Sequence, residues 1–325
     1  MPLNDELLVF LDLAAEAMAN GSRSAIHDLP PDLARREYEA ASQILDVPGP
    51  EMASVQELSI EGRDGYQIGA RLYKPLEFSE TTDPQPVLLY FHGGGYCLGS
   101  LDSHDALCRS LAALTPCYVL HIAYRLAPEN RFPSAVHDAH DGYQWLLRQG
   151  LAYGLDTSRI AVGGDSVGGS LATGITIMAR DKNLQQPVCQ LLLYPCTSAW
   201  QDSESHRRLA SGYLLEAKTL QWMFNFYLRT DADRVDWRFA PLEAPDLSKL
   251  APAHLVLAEF DPLLDEGMAY AERLLDSGVV TQVHVYSGMV HDFARLSNIV
   301  EEAEEVRQDL AKILAKAFYP ENDRI

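Results

Sequence analysis

The sequence predicts an α/β domain: a mainly parallel sheet with helices packed on both faces. Three observations lead there. From Pro86 onward, short apolar runs alternate with amphipathic helical patterns. The runs are apolar at nearly every position, as strands covered on both faces require, where a half-exposed strand would alternate. A glycine-rich turn also joins one of these strands directly to one of the helices, a connection typical of layered α/β sheets.

The strand candidates are Val87–Phe91, Tyr118–Ala123, Ile160–Val162, Leu191–Tyr194 and Leu255–Ala258, with Val283–Tyr286 as the last. Helical patterns lie near Ala106–Leu114, Ala135–Leu147 and Leu171–Ala179. Val300–Phe318 reads as a closing helix whose acidic first turn suits the positive end of its dipole. Upstream the texture differs. Leu7, Leu8, Leu11, Ala14, Ala15 and Met18 recur at helical spacing, and a second helix follows Pro30-Pro31 over Asp32–Leu45 until Pro48-Gly49-Pro50 stops it. Val55–Ile60 and Tyr66–Tyr73 alternate around Gly62–Gly65 and read as a hairpin. Ser198–Asp236 breaks the strand–helix rhythm. It is strandless yet carries Tyr213, Trp222, Phe224, Phe226 and Tyr227, too apolar for a linker, so it reads as a helical insertion between two strands. The expected division is residues 1–50 as N-terminal helices and 51–325 as the main domain, interrupted by the insertion at about 198–236.

At 325 residues with 47% hydrophobic and 22% charged side chains, the chain can bury a large core. Its 46 acidic against 26 basic residues leave a formal charge of −20, which would repel nucleic acid and anionic membranes alike. A small neutral molecule is the better partner. The five cysteines are scattered and form no C-x-x-C, so they read as reduced thiols of a cytoplasmic protein. The first twenty residues carry four acids and no Lys or Arg, unlike a secretory signal, and no apolar run is long enough to insert in a bilayer.

Gly164-Asp165-Ser166-Val167-Gly168 matches G-x-S-x-G, a pattern that chance alone produces in roughly one chain of this length in ten. Context strengthens it, because strand Ile160–Val162 runs into it and a helix leaves it. Such a turn forces the serine into a strained conformation and exposes its oxygen at a helix N-terminus, where N–H groups favour negative charge. A phosphate cradle would need a Lys-Ser or Lys-Thr pair, which is absent. His92-Gly93-Gly94-Gly95 follows strand Val87–Phe91. Bare glycine amides there can face an oxygen that becomes negative, as acyl transfer demands. The expected donors are the amides of Gly93, Gly94 and Val167. His92 itself reads as a structural hydrogen-bonder of the loop.

A serine nucleophile needs a base and the base an orienting carboxylate, in the chain order Ser, acid, His for sheets of this kind. Asp261 stands at the carboxyl end of strand Leu255–Ala258, where open α/β sheets gather their ligands. Asp265 is its rival, although better suited to capping the helix that begins there, and Glu259 falls nearer the strand body. His291, in the loop after the last strand, is the expected base, since His284 lies inside that strand. His137 and His140 with Asp138 and Asp141 could suggest a metal, but their helical spacing reads as a solvated or packed face. No metal or other cofactor is expected.

Together these segments resemble the hormone-sensitive-lipase-like family of esterases and lipases. The likeness runs from about Val55 to the C-terminus. It is carried by His92–Tyr96, Tyr124-Arg125-Leu126-Ala127-Pro128-Glu129, Gly164–Gly169, Asp261–Gly267 and His291-Asp292-Phe293. The resemblance implies an α/β-hydrolase fold with an eight-stranded, mostly parallel sheet and a helical cap made from the N-terminal helices and the insertion. It further implies a Ser166–Asp261–His291 triad, substrate contacts from Tyr96 and Asp165, and no cofactor. Where the family usually has alanine after the nucleophile, this chain has Val167. Its two extra methyl groups are expected to reach the walls around the reacting carbonyl and to favour short to medium acyl chains, with packing beneath the turn as the alternative.

The function expected is hydrolysis of short- to medium-chain carboxylic esters through an acyl-enzyme. The same triad cleaves amides, so an amidase or peptidase is an alternative. An inactive small-molecule receptor is another, but such relatives lose a triad member and here all three positions are filled. A homodimer is compatible with these features.

Overall fold

The structure, a computed structural model, describes residues 2–320. Its eight strands form one sheet: β1 (Met52–Glu61), β2 (Gln67–Pro75), β3 (Gln85–Phe91), β4 (Tyr118–Ala123), β5 (Leu155–Asp165), β6 (Gln190–Leu193), β7 (Ala253–Phe260) and β8 (Thr281–Val290). Their spatial order is β1-β2-β4-β3-β5-β6-β7-β8. The β1–β2 and β2–β4 pairs are antiparallel and all others parallel. This is the α/β-hydrolase fold, mostly parallel as the sequence predicts.

Strand β3 shows why these runs are continuously apolar. Val87, Leu89 and Phe91 pack into the core on one face, with α4 (Ser134–Gln149), α5 (Val167–Asp181) and α8 (Leu264–Asp276). Leu88 and Tyr90 point the other way, into the core shared with α3 (Asp105–Leu114) and α9 (Glu302–Phe318). Successive residues of one strand thus serve two separate cores. All five cysteines are free and buried. Among the described residues, no helix is long and apolar enough to cross a membrane.

The strands are longer than their most apolar stretches, and this places the chemistry. β7 continues two residues past Ala258 to Phe260, and β8 passes through Gly288 to Val290. Asp261 and His291 therefore each follow directly on the last residue of a strand. The ends of β3, β5, β7 and β8 lie on one edge of the parallel sheet, the edge where ligands bind in such folds.

Above this edge lie α1 (Asp5–Ala19), α2 (Pro31–Leu45), α6 (Glu204–Arg208) and α7 (Ala217–Tyr227). In α7 the buried residues Leu220, Met223, Phe224 and Tyr227 follow helical spacing. Helix α2 is clamped by Arg35, whose guanidinium binds both carboxylate oxygens of Glu129 at 2.6 and 3.0 Å and the carbonyls of Ala127 and Cys97. The short α6 is pinned to α8. Asp265 accepts the Ser205 N–H at 2.7 Å, Ser205 donates its hydroxyl to the Pro262 carbonyl, and His206 faces the buried Glu266 at 3.3 Å. Asp265, expected to cap α8, instead lies inside its first turn and holds the insertion.

Candidate active site

Ser166 occupies the turn between β5 and α5 with φ 54° and ψ −122°, a region costly for a residue with a side chain, on the order of 1–3 kcal/mol. Its surroundings hold it there. The Ser166 N–H donates to the Leu193 carbonyl at 2.9 Å, and its own carbonyl accepts from Gly169 and Cys196. The turn closes only because Gly168 lacks a side chain: a Cβ there would run into the Phe91 carbonyl oxygen.

Across the sheet edge, His291 Nδ1 lies 2.6 Å from Asp261 Oδ2. The other carboxylate oxygen accepts the Leu263 N–H at 2.8 Å, which fixes the carboxylate plane. Both residues are buried, with the His291 ring edge-on to Tyr194. Burial pushes the His291 pKa down, but the charge and hydrogen bond of Asp261, then the charges of Asp292 and Asp165, more than offset it, so the net shift is upward. Glu259 is turned elsewhere and accepts the Gly288 N–H at 2.9 Å.

Ser166 and His291 line one cavity of about 300 Å³. Its floor includes Gly94 and Gly95. Its walls come from α1 (Phe10, Leu11, Ala14), α2 (Tyr38, Ser42) and the insertion (Leu215, Leu220, Met223). The N-terminal helices and the insertion thus meet over the same space. Most of this lining is apolar. Polar side chains interrupt it beside His291, at Tyr38, Ser42, Asp292 and Arg295, and again at Arg23, Ser24, Glu216 and Thr219.

The glycine loop departs from expectation at one position. The Gly93 N–H is committed to Asp165 Oδ2 at 3.0 Å and Gly93 does not line the cavity, so it has no amide free for a substrate oxygen. Gly94 and Gly95, both at positive φ (105° and 61°), do line it, so the loop faces the cavity one residue further along the chain than expected. Sequence reasoning could have chosen among the three glycines only by knowing where Asp165 points. Asp165 itself contributes to the cavity wall, but its carboxylate is buried against Tyr90 Oη (2.7 Å), the Gly93 amide and His104 Nε2 (3.1 Å). Tyr96 is also placed away from substrate. Its ring is buried, stacked on Tyr227 at 3.9 Å, and forms no part of the cavity lining. Of the two expected substrate contacts, Tyr96 packs beneath the insertion away from the cavity, and Asp165 reaches the cavity wall while its carboxylate ties down the glycine loop.

The Val167 side chain is 1% exposed, belongs to the core cluster and is absent from the cavity lining. The expected reach to the walls around the carbonyl is therefore corrected: Val167 packs beneath the turn, the alternative reading. His92 stacks on Tyr124 at 4.3 Å, with Nδ1 2.8 Å from the Gly93 carbonyl. His140 faces the Arg63 guanidinium at Nδ1 and the Lys182 ammonium at Nε2, two cations rather than a ligand shell.

Fold and site define a hydrolase whose serine stands on a strand-to-helix turn, opposite a histidine–aspartate pair. A family model described as the alpha/beta hydrolase fold matches residues 88–295. The chain is 44% identical over 309 residues to an ethyl acetate hydrolase of Pseudomonas putida, covering 94% of this chain and 96% of the relative. It is 41% identical over 257 residues to the carboxylic ester hydrolase LipN of Mycobacterium tuberculosis, covering 77% and 67%. The solved structure of an ester hydrolase from the metagenome of Lake Arreo superposes with a TM-score of 0.92 at 34% identity, covering 97% of this chain and 99% of that one. The chain belongs to the hormone-sensitive-lipase-like esterases of the α/β-hydrolase fold and is a carboxylic ester hydrolase.

Proposed function

We propose that the protein hydrolyses short- to medium-chain carboxylic esters through a Ser166–His291–Asp261 triad and an acyl-enzyme. The observation that carries this is the 2.6 Å His291–Asp261 contact, with His291 and Ser166 on the wall of one cavity. Asp261 binds the Nδ1–H of His291 and so leaves Nε2 as the base. His291 takes the Ser166 proton as the serine oxygen attacks the ester carbonyl, then gives it to the leaving alkoxide. Water, deprotonated by the same imidazole, releases the acid. The negative oxygen of each tetrahedral intermediate is received by the amides of Gly94, Gly95 and Val167, the last at the N-terminus of α5.

Helices α1 and α2 together with the insertion act as the cap. The cavity, about 300 Å³, lies at the small end of the range for ligand sites, roughly 300–1,000 Å³. That supports small esters, as does the name of the ethyl acetate hydrolase relative. The test is a series of nitrophenyl esters from acetate to palmitate with wild type and Ser166→Ala. Activity should peak at short to medium chains and fall steeply at palmitate. Ser166→Ala should lower kcat by at least about 10³-fold. A variant keeping a tenth of the activity, or a flat chain-length profile, would overturn the reading.

A further inference from the structure

One side chain at the site has no place in that mechanism. Arg295 is buried at the cavity wall, yet among the described residues its only carboxylate partner is Asp292, at 3.1 Å. Its other contacts reach three separate parts of the fold. On α2, the guanidinium lies 5.0 Å from the Tyr38 ring centroid and donates to Ser42 Oγ at 3.3 Å. In the loop after β8, the ion pair holds Asp292, directly after His291, in a left-handed turn (φ 70°). Behind the oxyanion loop, its Nη1 contacts His104 at 3.0–3.2 Å and the Ser103 carbonyl at 3.4 Å.

The chain of contacts does not stop at His104. That ring is buried, and its Nε2 faces Asp165 Oδ2 at 3.1 Å. A carboxylate only accepts, so the network assigns the ring proton to Nε2 and leaves Nδ1 to accept from Arg295 or Ser103. The same Asp165 oxygen receives the Gly93 amide, immediately before Gly94. An unbroken polar path therefore runs from cap helix α2 through Arg295, His104 and Asp165 to the loop that presents the oxyanion donors.

A buried ion pair is weak ground for stability, because desolvation offsets most of the attraction and an apolar side chain of similar size often does as well. Its better-attested use is to specify one arrangement of groups. We propose that Arg295 is a positioning residue: it locks cap helix α2, the loop carrying His291 and the oxyanion loop into one catalytic register. The proposal rests on the reading of Ser166, His291 and the glycine loop given above. Donors in an oxyanion hole act only when held at the site of developing charge, and a displacement of about 1 Å can cost a hundredfold in rate. Loosening Arg295 should thus slow the chemical step and leave ground-state binding almost unchanged.

The experiment compares Arg295→Met, Arg295→Lys and the double variant Tyr38→Phe/Ser42→Ala with wild type on nitrophenyl butyrate, with Ser166→Ala alongside. Circular dichroism and the unfolding midpoint establish that each is folded. Arg295→Met should lower kcat about 10- to 100-fold with KM within about threefold, and Arg295→Lys, which keeps the charge, should recover part of it. The double variant leaves Arg295 in place and removes the Ser42 hydroxyl that Arg295 binds and the Tyr38 hydroxyl that faces Asp292 Oδ2 at 3.5 Å. It should lower kcat severalfold, and it carries the test if Arg295→Met does not fold. A folded Arg295→Met with wild-type kcat would overturn the proposal. So would a raised KM at unchanged kcat, which would make Arg295 a simple substrate contact, or an unaffected double variant. If Ser166→Ala is itself active, the underlying site reading fails; if it is inactive while Arg295→Met is not impaired, only the role of Arg295 fails.

Discussion

Asp261 divides its carboxylate between two partners: Oδ2 faces His291 Nδ1 at 2.6 Å and Oδ1 accepts the Leu263 N–H at 2.8 Å. Four residues on, Asp265 spends its own carboxylate on the Ser205 amide of the insertion. The two acids should therefore fail differently. Asp261→Asn keeps the shape but forfeits the charge that supports the imidazolium, and kcat should drop roughly 10³–10⁴-fold in a folded protein. Asp265→Ala removes one anchor of α6, costing about 1 kcal/mol, with kcat changed only a few fold. Steady-state kinetics and thermal melting of both variants decide this, and the reverse order of activity losses would transfer the acid to Asp265.

The pH profile should carry the mark of the same pair. The net shift of His291 is upward, with the charges of Asp261, Asp292 and Asp165 outweighing its burial. Only the neutral imidazole can accept the Ser166 proton, so a raised pKa moves the acid limb of kcat/KM to higher pH. Its midpoint should lie above about 6.5, the ordinary histidine value. Asp261→Asn removes the negative charge, destabilises the imidazolium and should move the residual limb downward. A wild-type midpoint well below 6, or an upward move in the variant, would contradict the electrostatics.

Val167→Ala should cost stability and leave selectivity alone. Its side chain packs into the core beneath the turn, and two lost methyl groups are worth about 1–3 kcal/mol there. Chain-length profiles of the variant and wild type should coincide while the melting temperature falls. A shift toward bulkier acyl groups at constant stability would place the side chain at the site after all.

The structure shows where the sequence was legible. The strands of the sheet, the serine turn, Asp261 and His291 all announce themselves locally, because each is a short pattern tied to one strand end. That Gly94 and Gly95 rather than Gly93 face the cavity has no local mark. It depends on an Asp165 carboxylate 72 positions away in the chain. The direction of Val167 follows from how α5 sits on the sheet, which a single letter cannot express. Arg295 and His104 are separated by 191 residues, and neither belongs to a recognisable motif. Side-chain partnerships across the fold, rather than elements, were what the sequence withheld.

The five buried cysteines have a practical consequence. Burial raises the pKa of every one of these thiols, to about 12 at Cys97 and Cys189 and further at the other three. Alkylating reagents consume thiolate, and none is both exposed and ionised in the native fold near neutral pH. Cys97 follows the glycine loop, Cys117 and Cys189 lie just before strands β4 and β6, Cys108 is on α3 and Cys196 follows the Leu193 strand end. Their reaction with iodoacetamide is thus gated by local opening of five different parts of the molecule. Mass spectrometry of the labelled sites over time would therefore report which region loosens first, without any probe being added to the chain.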